Sequence, residues 1–130
     1  MSLNDPLAAA LSAMVNAEKV GKPVCLLKPY SRMIKQVLTI LKEQNYIADF
    51  TEKEDASGGY VEVALNGRIN KCGVIKPRFA VKLADYEKFE QRYLPAKDFG
   101  VLLVSTPKGI LIHADAKEQH VGGRLLAYCY

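Results

Sequence analysis

"VLLVSTPKGILIHADA", residues 101–116, sets Ser105-Thr106-Pro107-Lys108-Gly109 between two of the most apolar runs in the chain. Short runs of Val, Leu and Ile read as strands, and the centre reads as the turn that joins them. Pro107 fixes φ, and Gly109 is free to take positive φ. Such a turn gathers two hydroxyls, an ammonium and backbone N–H groups in one place, which is how proteins hold sugar-phosphate backbones and bases outside regular helices. The same residues also make a tight β-turn with no ligand at all.

Outward from this turn the second half of the chain is strand-rich. "INKCGVI" from Ile69, "RFAVKL" after Pro77, "FGVLLV", "ILIH" and a last strand "RLLAYCY" are separated by a short helical patch around Tyr86 to Tyr93. Gly122-Gly123 opens the last strand, either as a turn or to let backbone approach a ligand closely. The first half reads α-β-α-β-β. Asp5 is an N-cap with Pro6 at the first helical position, and Leu7, Leu11, Met14 and Val15 recur at helical spacing until Gly21. "PVCLL" is a strand. Ser31 caps a second helix with Met33, Ile34, Val37, Leu38 and Leu41 along one face, ending near Asn45. "YIADF" and "YVEVAL" flank the glycines of "DASGG" as a β-hairpin. These elements predict an α+β fold of two small lobes, an N-terminal α/β lobe over residues 1–75 and a mainly β lobe with a short helix over residues 76–130.

Composition bounds the function. At 130 residues and 49% apolar the chain can bury a core, and no stretch approaches the length of a membrane span. Together with a start that lacks the basic leader of a signal peptide, this predicts a soluble intracellular protein. Cys25, Cys72 and Cys129 are far apart and odd in number, without Cys-x-x-Cys spacing, so the expectation is packing in a reducing compartment, with no metal and no cofactor. His113 and His120 are the only histidines. No nucleophile elbow, phosphate loop or paired-carboxylate motif accompanies them, so the chain does not read as an enzyme. The net charge of +4 is unevenly spread. Six basic residues from Lys19 to Lys42 and five from Arg68 to Lys82 are uninterrupted by an acid, while acids gather at "EKED" and from Asp85 to Glu90. Basic stretches of this kind suit an anionic partner and are equally ordinary solvated faces.

"VSTPKGILIHADAKEQHVGGRLLAYCY" resembles the C-terminal signature of the small-subunit ribosomal protein eight family, with its Ser-Thr-x-Lys-Gly turn, Gly-Gly pair and Cys-Tyr ending. "NDPLAAALSAMVNA" is similar to the family's Asp-Pro helix with its Asn-Ala close, and "KPYSRMIKQVLTILKEQNYIADF" to its second helix and following strand. Pro107 stands where bacterial members carry serine, helix one has Ser12 and Asn16 without the bacterial arginines, and "HADAKEQ" replaces Met-Thr-Asp-Arg. These departures resemble the archaeal and eukaryotic branch.

The resemblance implies a structural constituent of the small ribosomal subunit in the cytoplasm. Such a protein binds an irregular stem in the central domain of small-subunit rRNA, helps assemble the platform and adjoins other small-subunit proteins. It implies RNA contacts from Ser105 and Thr106 to bases or sugars and from Lys108 to a phosphate. Pro107 belongs to the same turn, and Gly109, Gly122 and Gly123 permit close approach. Lys28, Ser31 and Arg32 at the start of helix two would hold phosphate, and Asp5 and Asn16 are further RNA-contacting positions. Tyr86 either stacks or packs in the core. The alternative is a protein-binding adaptor or assembly factor that uses the hairpin and the acidic patch, and an enzyme with Ser105 or Thr106 as nucleophile is a third reading.

Overall fold

A computed structural model describes residues 6–27, 32–55, 58–76, 78–96 and 99–130. The chain forms two compact units, Met1–Asn70 and Lys71–Tyr130, and mixes helices with two antiparallel sheets in an α+β fold.

In the first unit, helix α1 (Pro6–Lys19) begins on proline, whose missing N–H would have had no partner in the first turn. Leu7, Leu11, Met14, Ala10 and Ala17 line its buried face. Gly21 then takes φ 76° and Lys22 N–H returns to the Ala17 carbonyl, closing the helix as a left-handed glycine does. Helix α2 (Arg32–Glu43) buries Ile34, Val37, Leu38 and Leu41 and stops at Asn45, with φ 65°. Strands β1 (Val24–Leu27), β2 (Ile47–Asp55) and β3 (Gly58–Leu65) form a sheet of order β1-β3-β2. Cys25 and Leu27 point inward with Val61 and Val63, while α1 packs on β1 and α2 on β2. Asp5, Ser31 and the Ala56-Ser57 turn lie outside the described residues.

The second unit holds β4 (Cys72–Val74), β5 (Ala80–Val81), helix α3 (Tyr86–Tyr93) entered through a 3-10 turn at Leu83–Asp85, β6 (Val101–Thr106), β7 (Gly109–Ile112), α4 (His113–Glu118) and β8 (Gly123–Cys129). Its sheet has the order β4-β8-β6-β7, with β5 also on β8, so the last strand in sequence is central and pairs with three others. Tyr86, Phe89, Leu102, Val104, Ala116 and Leu125 form its core.

Three elements differ from the sequence expectation. "RFAVKL" pairs only at Ala80–Val81, because Lys82 N–H bonds the Asp85 carboxylate at 3.1 Å and turns the chain into the 3-10 segment. "INKCGVI" contributes Cys72–Val74, and that strand pairs with β8 of the second unit. "ILIH" ends at Ile112, and "HADAKEQ", to which the sequence reading assigns no helix, supplies helix α4.

Candidate nucleic-acid interface

Residues Thr106 and Gly109 are paired across β6 and β7, so Pro107 and Lys108 alone form the loop. A two-residue hairpin normally uses a primed turn with positive φ at its centre, which proline cannot adopt. Here the positive φ moves to Gly109, at 110°, and Lys108 keeps a negative φ. This is the arrangement of a type I turn closed by a glycine, and no other residue type takes that last position without strain.

The two hydroxyls of the turn do different work. Thr106 is buried, donates its proton to the Gly109 carbonyl at 2.7 Å and accepts Lys108 N–H at 3.1 Å. Its single proton is spent inside the turn. Ser105 is exposed, and its hydroxyl has no partner among the described residues. The strand register sets Ser105 opposite Ile110 on β7 and Arg124 on β8. Arg124 is exposed and reaches the Arg78 carbonyl at 3.4 Å, a loose contact that leaves most of its donors available. Ser105, Lys108 and Arg124 therefore share one end of the sheet. Among the described residues no carboxylate pairs with either cation.

Gly122 and Gly123 hold this end together from within. A Cβ on Gly123 would lie 2.1 Å from the Ser105 carbonyl oxygen, and one on Gly122 would lie 2.5 Å from that of Val81. Their bareness is used first for strand-to-strand contact inside the protein. Tyr86 is fully buried and donates its hydroxyl to the Val121 carbonyl at 2.9 Å, just before the glycine pair. Burial pushes its phenol pKa up. Stacking on a nucleotide is closed to it, and it supports the site as a core residue.

His113 finishes the β6 edge. Leu102, just beyond the last β6–β7 pair, donates its N–H to His113 Nδ1 at 3.0 Å. A backbone N–H can only donate, so Nδ1 is the unprotonated nitrogen and Nε2 carries the hydrogen toward Glu90 Oε1, 3.1 Å away. Lys117 Nζ meets the same oxygen at 2.6 Å. This set, with His113 itself buried, ties α3 and α4 to β6 and is structural.

Of the remaining predicted residues, Arg32 opens α2 and Asn16 lies on α1, both exposed in the first unit. Asp5, Lys28 and Ser31 lie outside the described residues. Arg124 was missed in the sequence, where nothing local links it to Ser105. Among the described residues no group of His, Cys, Asp or Glu is placed to hold a metal, and no helix is long and apolar enough to cross a membrane.

The family model described as Ribosomal protein S8 matches residues 5–130. The chain belongs to the ribosomal protein S8 family. The S8 family consists of structural, non-enzymatic constituents of the small ribosomal subunit that bind rRNA and neighbouring ribosomal proteins, so the chain works in translation, in the cytoplasmic ribosome. An exposed hydroxyl and two uncompensated cations at a rigid sheet end fit that S8 role.

Proposed function

We propose that this chain binds an irregular stem in the central domain of small-subunit rRNA, early in platform assembly, through the β6–β7 hairpin end of its second unit. Paired RNA hides its base edges in a deep, narrow groove, so recognition rests on backbone shape, 2′-hydroxyls and displaced bases. Ser105 is the group that reads such a base or sugar. Lys108 and Arg124 hold flanking phosphates, and Thr106, Gly109, Gly122 and Gly123 set the geometry. Arg32, with Lys28 and Ser31 before it, contributes phosphate contacts from the first unit, and Asp5 and Asn16 are further RNA-contacting positions. The single observation that carries the reading is the division of the two hydroxyls: Thr106 is consumed by the turn while Ser105 stands exposed beside Arg124.

The test is a titration of an irregular central-domain stem against a fully paired duplex of equal length. The irregular stem binds tighter, and Ser105→Ala narrows the gap by roughly 1–3 kcal/mol, the penalty of leaving a desolvated RNA group unpaired. Lys108→Ala weakens both RNAs and lowers the salt slope by up to about one. Equal affinity of the wild-type protein for the two RNAs overturns the reading.

A further inference from the structure

A run of aromatic rings crosses the second unit and takes no part in the hairpin site. Phe99 lies 6.4 Å from Tyr130, Tyr130 lies 6.2 Å from Tyr128, and Tyr128 lies 5.7 Å from Tyr93, centroid to centroid. The last two pairs are near parallel, at 24° and 25°. The Arg92 guanidinium continues the series, 5.7 Å from the Tyr93 ring and 5.4 Å from that of Phe79. Phe79 in turn meets Phe89 at 5.5 Å, and Lys88 Nζ stands 5.5 Å over the Phe89 ring.

Apart from Phe89, which belongs to the core, these rings are not enclosed as core rings are. Tyr93, Tyr128, Tyr130 and Phe79 are half-buried, and Phe99 is 49% exposed. The β4–β8 register places Gly73 opposite Tyr128, where a Cβ would meet the Tyr128 ring at 3.2–3.4 Å, so a bare position accommodates the ring beside the strand. Lys71, which exchanges both backbone hydrogen bonds with Tyr130 at 2.8 Å, adds a cation on the same strand face. Helix α3 sorts its charges across this surface. Lys88 and Arg92, one turn apart, meet Phe89, Phe79 and Tyr93, whereas Glu87 and Gln91 line a separate cleft with Leu83 and Pro95. Among the described residues no carboxylate pairs with Lys71, Lys88 or Arg92.

Accessible rings interleaved with uncompensated cations are the composition of single-stranded nucleic-acid surfaces, where bases stack on aromatic or guanidinium planes and the backbone follows the charge. We propose that the Phe99–Tyr130–Tyr128–Tyr93–Arg92 series is a second RNA surface that takes unpaired nucleotides by stacking, with Lys71 and Lys88 on their phosphates. The proposal rests on the reading of the chain as an rRNA-binding protein and extends it from the irregular stem to unpaired strand. A neighbouring ribosomal protein is the competing occupant, and the exposed cations without counter-ions favour RNA over it.

The probes are a short oligouridine and an abasic ribose-phosphate oligomer of equal length. Wild-type protein binds oligouridine about tenfold tighter than the abasic oligomer, the value of one or two stacked bases. Arg92→Gln and Tyr130→Leu, each confirmed folded by thermal melting, reduce oligouridine affinity by about threefold or more and leave the irregular stem unaffected. Lys108→Ala does the reverse. Photocrosslinking of thiouridine-substituted oligomer to the wild-type protein places adducts on Tyr93, Tyr128 or Tyr130, a readout that needs no variant. Equal affinity for the two oligomers, adducts confined to other residues, or no oligouridine binding, as a protein-docking face would give, overturns the proposal. Loss of the hairpin reading shows separately, as a Lys108→Ala variant that still binds the stem like the wild type.

Discussion

Adjacent hydroxyls with opposite duties give the hairpin a clean separation by substitution. Thr106→Val keeps the β-branch and removes a donor and an acceptor used inside the turn, so the Gly109 carbonyl and Lys108 N–H lose their partner. It lowers stability by about 1–3 kcal/mol, read by denaturant or thermal unfolding. Ser105→Ala removes an exposed hydroxyl, shifts stability by less than about 0.5 kcal/mol and shows its effect in RNA affinity. Tyr86 adds a pH-dependent test. Burial raises its pKa in the folded state above the ordinary value of 10.0, so the neutral phenol is the stabilised form. The unfolded chain loses this proton first. The contribution is therefore fully present below about pH 10 and is lost as pH rises through the folded pKa. Tyr86→Phe loses the bond to the Val121 carbonyl, about 1 kcal/mol at neutral pH, and flattens the decline in melting temperature on the alkaline side. A decline as steep as in the wild type would assign it to another group.

Among the elements, β8 is the one that admits no added atom beside the site. In Gly123→Ala the new methyl meets the Ser105 carbonyl oxygen and the Thr106 Cα, both backbone, so β6 and β8 must part where the hairpin is anchored. The expected loss is about 1–3 kcal/mol or more, with RNA affinity falling in the folded fraction as well, measured by unfolding and by titration corrected for active protein. Gly109→Ala differs, because nothing lies within 4 Å of its Cβ position and only the positive φ opposes it. How much of this was legible depends on how local each cause is. Helices α1 and α2 follow from apolar spacing and from stop signals at Gly21 and Asn45, all within a few residues. Helix α4 gave no such signal: its N-cap is Ile112, which offers no side-chain acceptor, and its first residue is held by Leu102 and Glu90 from distant elements. The turn was legible from Pro107 and Gly109. The distinction between Ser105 and Thr106 was not, since only the strand register decides which hydroxyl turns inward, and Arg124 is brought beside Ser105 by the same non-local pairing.

For the molecule as a whole, the three cysteines report on how it opens. All are buried, which screens them from reagents, and burial pushes the Cys25 thiol up, so that cysteine holds little reactive thiolate in the native protein. Cys25 belongs to the first unit, while Cys72 and Cys129 face each other across β4 and β8 of the second. In a denaturant series analysed by alkylation and mass spectrometry, Cys72 and Cys129 gain reactivity at one common midpoint, because parting those strands exposes both. Separate midpoints for that pair would show β4 detaching on its own. The central place of β8 also has a temporal side. A translating ribosome emits the hairpin well before the strand that braces it, since β4, β5 and β6 all wait for residues 123–129 to complete their pairing. On the proposed reading, a chain cut before residue 123 carries every residue of the hairpin turn without the strand that braces it, and is expected to bind the irregular stem more weakly than the full chain.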